Sequence, residues 1–141
     1  MMKRNKIIRG ALVVAFVGLS LGGWWATNAD AQGAPSQIPV PSGQPISFLQ
    51  FISEQDNKML RFRFLAPQIG TTYDYASVVG DFQVLCDEQV MPVLISNDLT
   101  PTQIVLSMSA ADVPFGEDDP TVLQFFEIFR PESGLCIWEE F

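Results

Sequence analysis

The spacing of apolar and polar residues changes several times along this chain, and each change predicts a different element. From Ala11 to Trp25 the residues are apolar, broken only by Gly18, Ser20, Gly22 and Gly23. Two later apolar runs, Ile46–Ile52 and Met59–Leu65, flank polar Ser53-Glu54-Gln55-Asp56-Asn57-Lys58, which predicts a hairpin. Within the second run, Arg61-Phe62-Arg63-Phe64 alternates with period two. That period sends the phenylalanines to a core and the arginines to the outward face of a strand ending at Pro67. Tyr75, Val78, Val79, Phe82, Leu85 and Cys86 recur at three- and four-residue steps and predict one substantial helix from Tyr73 to about Val90. Thr71 or Thr72 can cap its start, and Asp74 suits the positive end of its dipole. Gly80 weakens it, and Pro92 lies just beyond its expected end.

Gln103–Ser109 reads as a third strand. A loop through Pro114, Gly116 and the acids Glu117, Asp118 and Asp119 leads to Pro120, where Asp119-Pro120 would suit the first turn of a short helix. Gln124–Arg130 is strand-like, Pro131-Glu132-Ser133-Gly134 is a turn, and Leu135–Glu139 runs back as a C-terminal hairpin. The predicted fold class is α+β. It has a small antiparallel sheet of about five strands, in the order β-β-α-β-β-β, with one main helix.

The N-terminal run belongs to a different kind of segment. Lys3, Arg4, Lys6 and Arg9 precede it, and Ala29-Asp30-Ala31 follows with the small-x-small spacing that signal peptidase cuts after. Residues 1–31 therefore read as a secretory signal peptide, and export to the periplasm is expected. The alternative is a retained anchor, the one route by which this chain would meet a membrane. The run falls short of the about 20 apolar residues of a spanning helix, and Gly22 and Gly23 weaken it further. Residues 32–45, with Pro35, Pro39, Pro41 and Pro45, read as an extended, poorly packed linker. Residues 46–141 form the single domain.

Export changes the charge. Removing residues 1–31 leaves four basic residues, Lys58, Arg61, Arg63 and Arg130, against fifteen acids, and four minus fifteen is −11. Such a surface repels nucleic acid and anionic headgroups. It fits solubility, a cation or a basic partner. The two cysteines, Cys86 and Cys136, are expected to pair in an oxidising compartment. Their loop of about 50 residues corresponds to about 4 kcal/mol in the chain-entropy account.

The missing chemistry narrows the function classes. There is no histidine, which removes the usual general base, the commonest metal ligand and every Ser-His or Cys-His arrangement. No CxxC pair, glycine-rich phosphate loop or Gly-x-Ser-x-Gly is present. No catalytic residue is assigned and no cofactor is expected. Asp112, Glu117, Asp118 and Asp119 are the one candidate for calcium. Their spacing is not that of an EF-hand, and the alternative is a solvated loop whose last acid caps a turn. Arg61 and Arg63 could grip a carboxylate or another anion, or pair with neighbouring acids on a solvated face. In the aromatic set Phe125, Phe126, Phe129, Trp138 and Phe141, Phe125 and Phe129 share one strand face and Phe126 takes the other. An aromatic face left uncovered is an interaction site, and Phe126, Trp138 and Phe141 are its candidates.

Several of these segments together carry a resemblance. They are the signal-like N-terminus, Arg61-Phe62-Arg63-Phe64-Leu65-Ala66-Pro67, Leu85-Cys86, Val113-Pro114-Phe115-Gly116 and Cys136-Ile137-Trp138-Glu139. Over most of its mature length the chain resembles a family of small exported alphaproteobacterial proteins built on a domain of unknown function. Some members carry an automatic acetolactate synthase label. A thiamine-diphosphate enzyme is several times longer and needs a diphosphate-and-magnesium motif, which this sequence lacks. The resemblance implies a compartment and no mechanism. The expectation is a non-catalytic periplasmic binding module with an envelope protein as partner and no nucleic acid. The alternative is a small hydrolase working through carboxylates.

Overall fold

The computed structural model describes residues 35–140, so the signal-like segment and Phe141 lie outside the described residues. Five strands form one sheet in the spatial order of the chain: β1 (Ser47–Glu54), β2 (Met59–Leu65), β3 (Gln103–Ser109), β4 (Gln124–Glu132) and β5 (Leu135–Trp138). The expected α+β class and element order are present. The sheet is mixed, because β2 and β3 run parallel while the other three pairs are antiparallel. The helical crossover between β2 and β3 returns the chain to the end of the sheet where β2 began. A strand entering beside β2 from that end must run parallel to it.

Both hairpin turns use left-handed backbone. Gln55, Asp56 and Asn57 have φ of 52°, 54° and 66° between β1 and β2. Ser133 and Gly134, at 52° and 81°, make the two-residue turn between β4 and β5, as the matching twist of such turns requires. A register shift between Phe48 and Gln50 marks a bulge in β1. It brings Phe48 to within 6.0 Å of the Phe64 ring, and Phe51 lies 5.1 Å from Phe62.

The crossover helix starts later and runs further than its sequence predicts. α1 spans Tyr75–Leu85, a π-helical turn spans Cys86–Val90, and α2 spans Met91–Ser96. Asp74, and neither Thr71 nor Thr72, is the cap. Its carboxylate accepts the Ser77 backbone N–H at 2.9 Å, and the Ser77 hydroxyl in turn accepts the Asp74 backbone N–H at 3.2 Å. The Ser77 hydroxyl also donates to the Asp74 carboxylate, and that bond together with the Ser77 backbone N–H holds the Asp74 carboxyl below its ordinary range. Pro92 does not end the helix, because it falls in the first turn of α2, where a missing N–H costs least. The π turn before it restarts the helical ladder.

The helix packs on one face of the sheet. Val78, Phe82, Leu85, Val90 and Leu94 meet Leu60, Phe62 and Phe64 of β2, Ile104, Leu106 and Met108 of β3, and Phe129 of β4. Cys86 and Cys136 are bonded across this layer with Cα atoms 6.0 Å apart, so the helix is fastened to the last strand as expected. Gln83 Nε2 donates to the Cys136 carbonyl at 2.9 Å, and Asp87 Oδ1 accepts the Cys136 N–H at 2.9 Å, beside the same joint.

The proline-rich segment is better packed from Gln37 onward than its composition suggests. Ile38 N–H donates to the Ile46 carbonyl at 2.8 Å, and Ile38 and Val40 lie against the core. The anchor is Asp81 of α1, 1% exposed. It accepts Ser42 N–H at 2.9 Å, Ser42 Oγ–H at 2.5 Å and Gln44 Nε2–H at 2.7 Å.

Candidate functional site

The face of the sheet turned away from the helix carries Arg61 and Arg63 on β2, Val105 and Ser107 on β3, and Phe126 and Ile128 on β4. In register, Arg61 opposes Val105, Arg63 opposes Ser107, and Ser107 opposes Phe126. The period-two alternation of β2 places these side chains here, since Phe62 and Phe64 take the core side. This face is not simply solvated. The segment between β3 and β4 folds back along it as a compact loop, closed at its base by the Ala110 N–H bond to the Leu123 carbonyl at 3.0 Å. Val113 is the buried tooth of that loop at 5% exposure.

Between loop and sheet lies a cleft of about 590 Å³, within the usual range for small-molecule sites. Arg61, Arg63, Val105, Ser107 and Phe126 line it from the sheet, and Phe115, Glu117, Asp118 and Asp119 line it from the loop. Arg61 is engaged: its Nε lies 2.7 Å from Glu54 Oε2, and its guanidinium sits 5.8 Å from the centre of the Phe115 ring. Arg63 is different: its head does not pair with acids on a solvated face. Its side chain is buried by the loop, at 7% exposure. It donates to Gln50 Oε1 at 2.6 Å and to the Val113 carbonyl. Both acceptors are neutral, and among the described residues no carboxylate pairs with it.

The loop acids do not converge. Among the described residues, no group of three acids, cysteines or histidines could hold a metal ion. Asp119 caps its own turn, accepting Thr121 N–H at 3.0 Å and Thr121 Oγ–H at 2.6 Å, and these bonds hold its carboxyl below the ordinary range. No short helix follows, because the segment from Asp119 to Leu123 is a turn held by the Val122 N–H bond to the Asp119 carbonyl at 3.1 Å. Asp112 is exposed and does not line the cleft.

The aromatic candidates separate. Phe126, 55% exposed, faces the cleft, while Phe125 and Phe129 turn to the helix side. Trp138 opposes Phe129 and belongs to the helix side too. Its indole N–H donates to Glu127 Oε2 at 2.7 Å, and the Tyr75 hydroxyl donates to Glu127 Oε1. The bonded carboxylate, together with burial, pushes the Tyr75 hydroxyl up to about 12. Sequence reasoning passed over Glu127, Asp81 and Gln50. The signal for Glu127 was available: between Phe125 and Phe129, period-two spacing must send it to the core face.

Residues 21–141 match the model of a family of unknown function, DUF6497, and the chain belongs to that family. No curated protein matches it, and neither does any solved structure.

Proposed function

We propose that this member of the family is an exported, non-catalytic binding module of an alphaproteobacterial periplasm, and that its receptor surface is the cleft under the β3–β4 loop. The observation that carries the reading is the placement of Arg63. A buried guanidinium beside neutral acceptors keeps charge to offer to a ligand, and an aromatic wall stands next to it. The hydrolase reading draws no support from Asp119 of the same cleft: a general acid at neutral pH needs a raised pKa, and the bonds from Thr121 hold Asp119 low.

Export is tested by intact mass: protein recovered from the periplasm should begin at Gln32. The cleft is tested by a photo-crosslinking residue placed at Phe126 or, as control, at Leu135, which is exposed and does not line the cleft. Adducts should form from position 126 in intact envelopes and not from position 135. Equal yields from both positions, or none from position 126, would remove the cleft as the receptor.

A further inference from the structure

The cleft is polarised, and its polarity selects a ligand class. At its floor is the one buried cation among the described residues, Arg63, with two N–H groups bonded to neutral oxygens and others left over. Its wall is apolar, with Phe126 and Phe115 half exposed on either side and Val105 beneath. Its rim carries Glu117 and Asp118, both exposed. We propose, resting on the reading of this cleft as the binding surface, that it takes a small zwitterion with an apolar body, of the α-amino-acid kind. The carboxylate meets Arg63, the ammonium meets the acidic rim, and the apolar side chain lies on Phe126.

Long-range charge decides for a zwitterion over a simple anion. A domain at −11 repels a net anion on approach. A net cation is drawn to the rim but gives Arg63 no partner. A zwitterion has no net charge to repel and satisfies both ends of the cleft. Arg61 is not the anchor, because Glu54 already neutralises it. The planar fork of Arg63 suits a carboxylate better than a lysine ammonium would.

The test uses protein recovered after expression of the full-length chain, isotope-labelled and titrated with four probes. Phenylalanine keeps both charges, phenylalaninamide loses the carboxylate, N-acetylphenylalanine loses the ammonium, and N-acetylphenylalaninamide loses both. Phenylalanine should move the amide signals of Arg63, Ser107, Gly116 and Phe126 and bind at least about tenfold more tightly than the other three, a difference of about 1.4 kcal/mol. Arg63→Lys should weaken phenylalanine about tenfold. Phe126→Ala, which removes an exposed ring the core does not need, should weaken it several-fold with the rest of the spectrum unchanged. Equal binding of all four probes, tightest binding of N-acetylphenylalanine, or binding of none overturns the proposal. If no probe binds while position 126 still crosslinks in the envelope, the ligand class is wrong and the cleft remains the receptor. If position 126 is silent as well, both readings fall.

Discussion

Replacing both Cys86 and Cys136 by alanine should cost this domain about 4 kcal/mol. The bond closes a loop of 50 residues. At that length the chain-entropy relation gives roughly 14 cal/mol/K, or about 4 kcal/mol at 25 °C. Removing two buried sulfurs adds a packing loss to this figure, and two features limit it. Alanine leaves no unsatisfied hydroxyl in a site where Cys86 is 0% and Cys136 4% exposed. The Gln83 and Asp87 bonds to the Cys136 backbone remain to hold β5 in place. With a urea slope of about 1.5 kcal/mol/M, the unfolding midpoint should fall by about 2.7 M. The slope should rise, because the open unfolded chain exposes more surface. The assay is urea unfolding of wild type and variant, with and without reductant in the unfolded arm. Reductant should bring the wild type close to the variant and leave the variant unmoved. A loss under about 1 kcal/mol would refute the entropic account, and two free thiols per native chain would remove the bond itself.

Asp81→Ala should release the segment before β1. Three bonds to a buried carboxylate are lost, and the net cost should be about 2–4 kcal/mol. Amide exchange at Ile38, which bonds Ile46, should accelerate more than exchange in β3; uniform acceleration would contradict a local clasp. Gly80→Ala should stabilise by about 0.5–1 kcal/mol, since the site is helical and exposed and a Cβ there meets nothing within 4 Å; any loss by thermal melt counts against this. The Tyr75 hydroxyl, held to about 12 against an ordinary 10.0, gives a pH window. Below the lower value both folded and unfolded chains keep the proton and this group adds no slope. Between the two values the unfolded chain loses the proton first, so stability falls as pH rises. Urea midpoints across this window should fall more steeply for wild type than for Tyr75→Phe, and identical curves would refute the Tyr75–Glu127 bond.

How far the chain was legible depends on the range of the interaction that settles each feature. Arg61-Phe62-Arg63-Phe64 reads correctly because facing in a strand is decided within two residues. Whether the arginine face meets water depends on Val113, fifty positions on in the chain. Nothing local marks that valine as a lid tooth, so Arg63 reads as solvated and is in fact enclosed. The same holds for direction: the sequence orders the strands but leaves open on which side of β2 the crossover lands. Pro92 misleads for a different reason. A proline is a helix stop only if the ladder keeps its α register, and the π turn at Cys86–Val90 shifts that register ahead of it.

The three buried charges show what such distant contacts accomplish. Arg63, Asp81 and Glu127 are the charged residues buried among the described ones, and each is bonded by neutral partners in place of an opposite charge. Asp81 receives Ser42 and Gln44, and so fixes the segment before β1 to the helix. Glu127 receives Tyr75 and Trp138, and so ties the start of α1 and the end of β5 to β4. Arg63 holds the β3–β4 loop through Val113 and the edge strand β1 through Gln50. A neutral partner satisfies hydrogen bonding without cancelling charge, so each site stays costly to assemble wrongly. The two carboxylates take bonds at both oxygens, and each is closed over by the segments it holds. Arg63 alone of the three lines a cleft. On the reading of the cleft proposed above, the charge that fastens the loop is also the one offered to a ligand carboxylate.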